Sequence, residues 1–352
     1  MPEKYNRISN NSLGIWRIFF TLSIMLYHFS SSSSIYTDYT MIKKHWYISV
    51  EFFFILSGYL LMQHIEHNKD ESIGTYLSKR IYRLYPEYVI AFIVMAFIRA
   101  ANQNLNVIKV IIPNWLELIM LQNIGTGRYD FVNSPAWYVS TLLIASLILF
   151  YMLKEHRKAF LEFIAPIGMI IIFSYLYREY AFLDVYYQTK GFLLNGPVMR
   201  ALLGMTVGIY VYFISTSESV KRFFEKVRGF CILIEIVFFI GALTFATLVE
   251  DGEYDYLILF LFAIGVLCAS QDIYIGKICK IRVVKWLDEL SYSAFLCHNA
   301  VIALGFYVFK IFKWQLDVVS VLLFILITLI VASVYHYLCK GIRMIIKKKS
   351  TT

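Results

Sequence analysis

Ten runs of apolar residues, each close to the length of a membrane-crossing helix, alternate with short polar stretches along the chain. They fall at about 13–32, 46–65, 84–101, 136–153, 160–177, 193–214, 230–248, 255–271, 290–309 and 316–338. A helix needs about 20 residues to cross the roughly 30 Å of hydrocarbon in a bilayer. A further apolar segment, 103–124, is broken by Lys109, Pro113, Asn114 and Glu117, and reads as a re-entrant or interfacial piece. No hydrophilic stretch exceeds about 35 residues, and no internal repeat is visible. The pattern predicts an all-α integral membrane protein: a bundle of about ten transmembrane helices, one domain over 1–352, with no soluble domain.

Composition agrees. The 352 residues are 59% hydrophobic and 18% aromatic, and only 16% are charged. Mean hydropathy is +0.63, whereas a soluble domain carries about 25% charged residues. The net charge is +9, and its distribution says more than the sum. With the N-terminus on the cytoplasmic side, 22 of the 33 Lys and Arg lie in the tails and cytoplasmic loops. Nine lie in or at the edge of the opposite loops, and Arg17 and Arg200 lie inside spans. That excess predicts ten spans with both termini cytoplasmic, and an eleventh span at 103–124 would destroy it. The basic residues form no single stripe, so nucleic acid is not a partner on this reading; membrane lipids are. The five cysteines, Cys231, Cys268, Cys279, Cys297 and Cys339, form no C-x-x-C pair. They read as small buried hydrophobes, with neither a disulfide framework nor a metal site. Lys4 and Arg7 before an apolar run, and Ser30 to Ser34 after it, imitate a signal peptide. Arg17 interrupts the run and no A-x-A site follows, which favours an uncleaved first helix.

Candidate chemistry lies in the polar residues that interrupt the spans, because a charge in hydrocarbon costs several kcal/mol unless it lines a bundle interior or a wet cavity. Arg17 and His28 share the first span, Glu51 and Ser57 the second, Arg200 is in the sixth and His298 in the ninth. Arg17 and His28 are eleven residues apart, about 16 Å along the axis and nearly on one helical face. They can look into one cavity at two depths, or be a snorkelling arginine and a carbonyl-bonded histidine. Glu51 and His28 both lie near the outer ends of neighbouring spans. Either Glu51 orients His28 as a general base, or it faces outer water. Arg80 and Arg83, three apart before the third span, share a helical face and suit phosphate oxygens, as well as serving as ordinary juxtamembrane charge. Ser57 reads as an acyl-carrying nucleophile or, with Gly58, as a close-packing device. Trp46, Trp115 and Trp137 read as an outer interfacial belt, or as sugar-stacking surfaces.

Taken in order, these residues resemble the membrane-bound acyltransferase 3 family of bacterial surface-glycan O-acyltransferases. Arg17 to His28 is similar to its R-x10-H pattern. Val50-Glu51-Phe52-Phe53-Phe54-Ile55-Leu56-Ser57-Gly58-Tyr59-Leu60 resembles its second-helix segment, and Arg80-x-x-Arg83 followed by Pro86 its R-x-x-R-x-x-P loop. Arg200 with Gly204 and Gly208, and Ser291-Tyr292 through Leu296 to His298, resemble its sixth- and ninth-helix patterns. The resemblance runs from about residue 10 to 340. One departure stands out: many members follow the helix-four tryptophan with a glutamate, and here Trp137-Tyr138-Val139-Ser140-Thr141 carries none.

The resemblance implies acetyl-CoA or another acyl-CoA as co-substrate, and no permanently bound cofactor. It implies a glycan or lipid-linked glycan acceptor, and a place in the bacterial cytoplasmic membrane. The expected roles are His28 as base with Glu51 behind it, Arg17 on the donor, and Arg80 and Arg83 on CoA phosphates. Arg200 and His298 are candidates for oxyanion stabilisation, His298 alternatively packing the ninth helix. A flippase for a lipid-linked glycan is the rival, since intramembrane charges serve it equally. It lacks the support of a visible inverted repeat. An inert scaffold is a third reading, and has no need of buried charges.

Overall fold

The computed structural model describes residues 12–32, 45–124, 131–185, 195–249, 252–272, 275–312 and 318–349. Lys4, Arg7, the serine run beyond Ser32 and the side chain of Cys279 lie outside the described residues. Among the described residues there is no strand, and ten helices are long and apolar enough to cross a membrane. We label them α1 (Leu13–Ser32), α2 (Ser49–His67), α3 (Ile73–Asn102), α4 (Trp137–Glu155) and α5 (Arg157–Tyr180). The rest are α6 (Gly196–Thr216), α7 (Arg228–Leu248), α8 (Asp255–Gln271), α9 (Arg282–Phe312) and α10 (Val318–Lys349). The chain is a multi-pass membrane protein.

Burial sorts the helices into inner and outer ones. The apolar stretches of α2, α4 and α6 are 72%, 67% and 61% buried, whereas those of α5 and α10 are 17% and 28% buried. The outer helices are also the most apolar, as contact with lipid demands. Glycines weld α2 to α6. A Cβ on Gly58 would lie 1.9 Å from the Met205 carbonyl oxygen, and one on Gly208 1.9 Å from that of Ile55. Small residues let two membrane helices approach to backbone contact, so the Ser57-Gly58 pair is a packing device at its glycine.

Helix α1 runs between two aromatic cores. On one side Phe20 stacks on Phe52 of α2 at 4.3 Å and meets Phe262 of α8 at 5.1 Å. Toward its other end, Phe29 stacks on Phe324 of α10 at 4.5 Å. Helices α3 and α9 begin about one membrane-independent extension earlier than their apolar runs suggest, at Ile73 rather than 84 and at Arg282 rather than 290. Ser72 caps α3, its hydroxyl accepting the Thr75 amide at 3.2 Å. Beyond Gly74 in the first turn, α3 contains Pro86, which it absorbs at the loss of one backbone bond. Arg80 and Arg83 therefore sit on α3 itself and not in a loop.

The segment 103–124 forms short helices, Val107–Ile111 and Trp115–Leu118, and none is long enough to span. Ile108, Ile112 and Trp115 are exposed while Val110 and Met120 are buried, the division of an interfacial piece. Its Glu117 is buried and accepts the amides of Val132 at 2.6 Å and Asn133 at 2.8 Å. This clamp fixes the chain just before α4. Cys231, Cys268, Cys297 and Cys339 are free and buried.

Candidate active site

The first and ninth helices run side by side in the same direction, and their polar residues meet in rungs. Near the end that carries Arg80 and Arg83, Arg17 donates to Asp288 Oδ2 at 2.7 Å. About 16 Å farther along α1, the His28 ring lies 5.1 Å from that of His298, at 36° between planes. Asp288 and His298 are ten residues apart, matching the eleven between Arg17 and His28. The single-face expectation for Arg17 and His28 thus describes the geometry, and the shared face looks onto α9. His298 is fully buried. Its Nδ1 faces the Ala294 carbonyl at 3.3 Å, and its Nε2 has no hydrogen-bond partner. His28 is only partly buried although it lies within the bundle, so it borders open space.

The pairing of His28 with Glu51 does not form. Glu51 is fully buried and bound to Arg200 of α6, whose guanidinium also donates to the Tyr47 carbonyl at 3.4 Å. An arginine in the apolar interior draws the nearest carboxylate to itself, and a neutral imidazole cannot compete. The Arg200 guanidinium lies over the Trp137 ring, 5.3 Å from its centroid. Trp137 is 6% exposed, so it belongs to this buried cluster and not to an interfacial belt. Trp115 is exposed, and Trp46 donates from Nε1 to Thr247 Oγ1 at 3.1 Å near a lipid-facing hollow of about 320 Å³. Gly204 is part of the same arrangement: a Cβ there would lie 2.7 Å from Phe54 Cβ and 3.4 Å from Glu51 Oε2.

Aromatic side chains, some buried and some partly buried, lie between the basic end and the histidines. Arg80 donates from Nε to the Tyr76 hydroxyl at 2.8 Å, and its guanidinium lies 5.3 Å from the Tyr76 ring centroid. Tyr76 in turn stacks on Phe150 of α4 at 4.2 Å. Tyr138 of α4 lies beside Ser57 and within electrostatic reach of both Arg80 and Glu51. Its ring is 5.6 Å from Phe295, which is 6.0 Å from His298. Arg83 is exposed, and Arg343 of α10 donates to its carbonyl at 3.0 Å and to Glu87 at 2.8 Å. Ser293 of α9 donates to the other oxygen of Glu87 at 2.9 Å.

Beyond His28 the polar chain continues to the opposite end. The Tyr27 ring lies 5.1 Å from His28, and its hydroxyl donates to Asp184 at 3.4 Å. Tyr47 donates to Asp255 at 2.6 Å, and Asp255 also accepts the Leu183 amide at 2.9 Å. Asp184 lies between spans. Burial holds its carboxyl above the usual range, Arg200 opposing and Asp255 reinforcing the shift. Among the described residues no group of three or more His, Cys, Asp or Glu is placed to hold a metal ion.

A family model described as an acyltransferase domain, that of acyltransferase 3, matches residues 10–337. The chain belongs to the acyltransferase 3 family. It is a membrane acyltransferase, and the matched region takes in every residue of the rungs and clusters described above except Arg343. No curated protein matches the chain, and no solved structure does.

The arrangement shows what sequence reading missed. Asp288 lies just before the Ser291-Tyr292 motif, outside the apolar run that predicts the ninth span, and its spacing of ten from His298 was the available signal. Glu87 and Asp255 are buried acids that escaped notice because each looks like a boundary residue in the sequence, and Glu117 reads there only as a break in an apolar run.

Proposed function

We propose that this acyltransferase 3 member transfers an acyl group from an acyl-CoA, with acetyl as the default, to a hydroxyl of a cell-surface polysaccharide or its lipid-linked precursor. It does so in the bacterial cytoplasmic membrane with both termini cytoplasmic, the side favoured by the excess of basic loops. The observation that carries the reading is His28, an imidazole only partly buried between α1 and α9, against which the rings of His298, Phe295 and Tyr138 line up, with Tyr138 in electrostatic reach of Arg80.

CoA phosphates rest on Arg80 and Arg83, whose forked guanidiniums suit them. The thioester extends past Arg17 toward His28. The acceptor oxygen attacks the thioester carbonyl carbon while His28 takes the hydroxyl proton. Collapse of the tetrahedral intermediate breaks the C–S bond, and the proton passes from His28 to the departing sulfur, giving free CoA thiol and neutral histidine. Arg200 is engaged by Glu51, which assigns it to holding α2, α4 and α6 together and not to the oxyanion. Ser57, beside Tyr138, lines the route; no acyl-serine is required.

Two variants test this. His28→Ala should abolish transfer, a loss of about 10² to 10⁴-fold, with insertion unchanged; full transfer by His28→Ala removes the base. Arg80→Ala with Arg83→Ala should raise KM for acyl-CoA more than KM for the acceptor. Unchanged donor kinetics removes the phosphate clamp.

A further inference from the structure

We propose that His298 is the positioning residue for His28: its unpartnered Nε2 is placed to take up the N–H of His28 during the reaction and to hold that ring in the tautomer and pose needed to take the acceptor's proton. This rests on His28 being the base.

A base histidine works best with its second ring nitrogen held by an acceptor, commonly a carboxylate. Here that carboxylate is absent from His28, because Glu51 is bound to Arg200. The ring contacts of His28 are Tyr27 and His298, each at 5.1 Å between centroids. His298 is prepared as an acceptor. Its Nδ1 faces the Ala294 carbonyl, which only accepts, so Nδ1 carries the proton and Nε2 the lone pair. That Nε2 is buried with no partner. A buried nitrogen left unsatisfied costs free energy, and such an atom in a folded protein calls for a role.

Independent contacts hold His298 in place. Asn133, just before α4, donates from Nδ2 to the Leu296 carbonyl at 3.0 Å. The amides of Asn133 itself and Val132 are clamped by Glu117. The ring is flanked by Phe295 at 6.0 Å. One turn of α9 is thereby locked to the start of α4, with the imidazole projecting toward α1. When His28 becomes imidazolium in the first step, its N–H points to a neutral acceptor, and no net proton leaves the pair. The proton still ends on the CoA sulfur.

The test uses the full-length protein in detergent or liposomes, with acyl-CoA and acceptor varied separately. His298→Met fills the space without an acceptor. It should lower kcat at least about tenfold, in the range for partners that orient a functional ligand, with both KM values within about twofold. His298→Gln, whose amide oxygen can accept, should recover most of that loss. Added imidazole should partly rescue His298→Ala. Thermal midpoints of the variants report whether the fold survives. If His298→Met keeps wild-type kcat, or if Gln and Met are equally impaired at equal stability, His298 only packs the helix and the inference is overturned. Activity of His28→Ala at wild-type level would instead overturn the underlying base assignment.

Discussion

Replacing Glu51 with glutamine tests the rearranged ion pair most sharply. The two side chains of the Arg200–Glu51 pair are 1% and 0% exposed. After Glu51→Gln, Arg200 keeps the Tyr47 carbonyl at 3.4 Å and the Trp137 face at 5.3 Å but loses its bonded carboxylate. Removing one partner of a buried pair costs about 3–5 kcal/mol, because the other charge stays buried. Asp184 remains in electrostatic reach of Arg200, which places the expected cost near the lower limit, about 3 kcal/mol. At roughly 2 °C per kcal/mol for a large domain, the thermal midpoint should fall by about 6 °C. The double variant Glu51→Gln with Arg200→Met removes both charges and should regain much of that loss. The assay is thermal unfolding in detergent, with transfer measured on the folded fraction at a temperature below both midpoints. The folded fraction should stay active, since Glu51 does not touch His28. A Glu51→Gln protein that is as stable as wild type, or folded and inactive, would refute the reasoning.

Other outcomes follow from the same geometry. Gly208→Ala should strongly reduce folded protein, by more than the 1–3 kcal/mol typical of overpacking, since the new carbon would meet a backbone oxygen at 1.9 Å; Gly168→Ala, with open space around it, serves as the control in a size-exclusion assay. Asp288→Asn should remove the negative charge that Arg17 meets at 2.7 Å and change acyl-CoA kinetics more than acceptor kinetics. Glu71, between α2 and α3, is pushed up by burial but held lower on balance by hydrogen bonds from Lys79, at 2.7 Å, and His64. Its contribution to stability is therefore present above the ordinary glutamate value and is lost as pH falls through its depressed folded value. Glu71→Gln should lower the thermal midpoint near pH 7 and converge with wild type in acid; an equal difference at both pH values contradicts that sign. Release of CoA thiol by purified protein with an added acceptor separates a transferase from a flippase, which would release none.

Much of the architecture was legible because lipid imposes simple demands. Apolar runs of the right length announced α1 to α10, and Lys109, Pro113, Asn114 and Glu117 ruled out a span at 103–124. The helical repeat alone placed Arg17 and His28 on one face. What spacing within one helix cannot supply is the partner on another. Glu51 was closer in sequence to His28 than to Arg200, but burial favours the pair of opposite charges, which also draws in Trp137. The His28–His298 contact joins residues 270 positions apart, and helix order in a ten-span bundle leaves many ways to choose neighbours. The lengths of α3 and α9 were underestimated for a simpler reason: hydropathy marks where the hydrocarbon ends, not where the hydrogen-bonded helix does.

The most direct trial of the account is transfer across a sealed membrane. Liposomes holding the protein would have labelled acyl-CoA confined to the side of Arg80 and Arg83, and a glycan acceptor confined to the other. The account predicts label on the acceptor with wild-type protein and none with an equally well inserted His28→Ala. Label appearing at the same rate with His28→Ala, or only when donor and acceptor share one side, would contradict it.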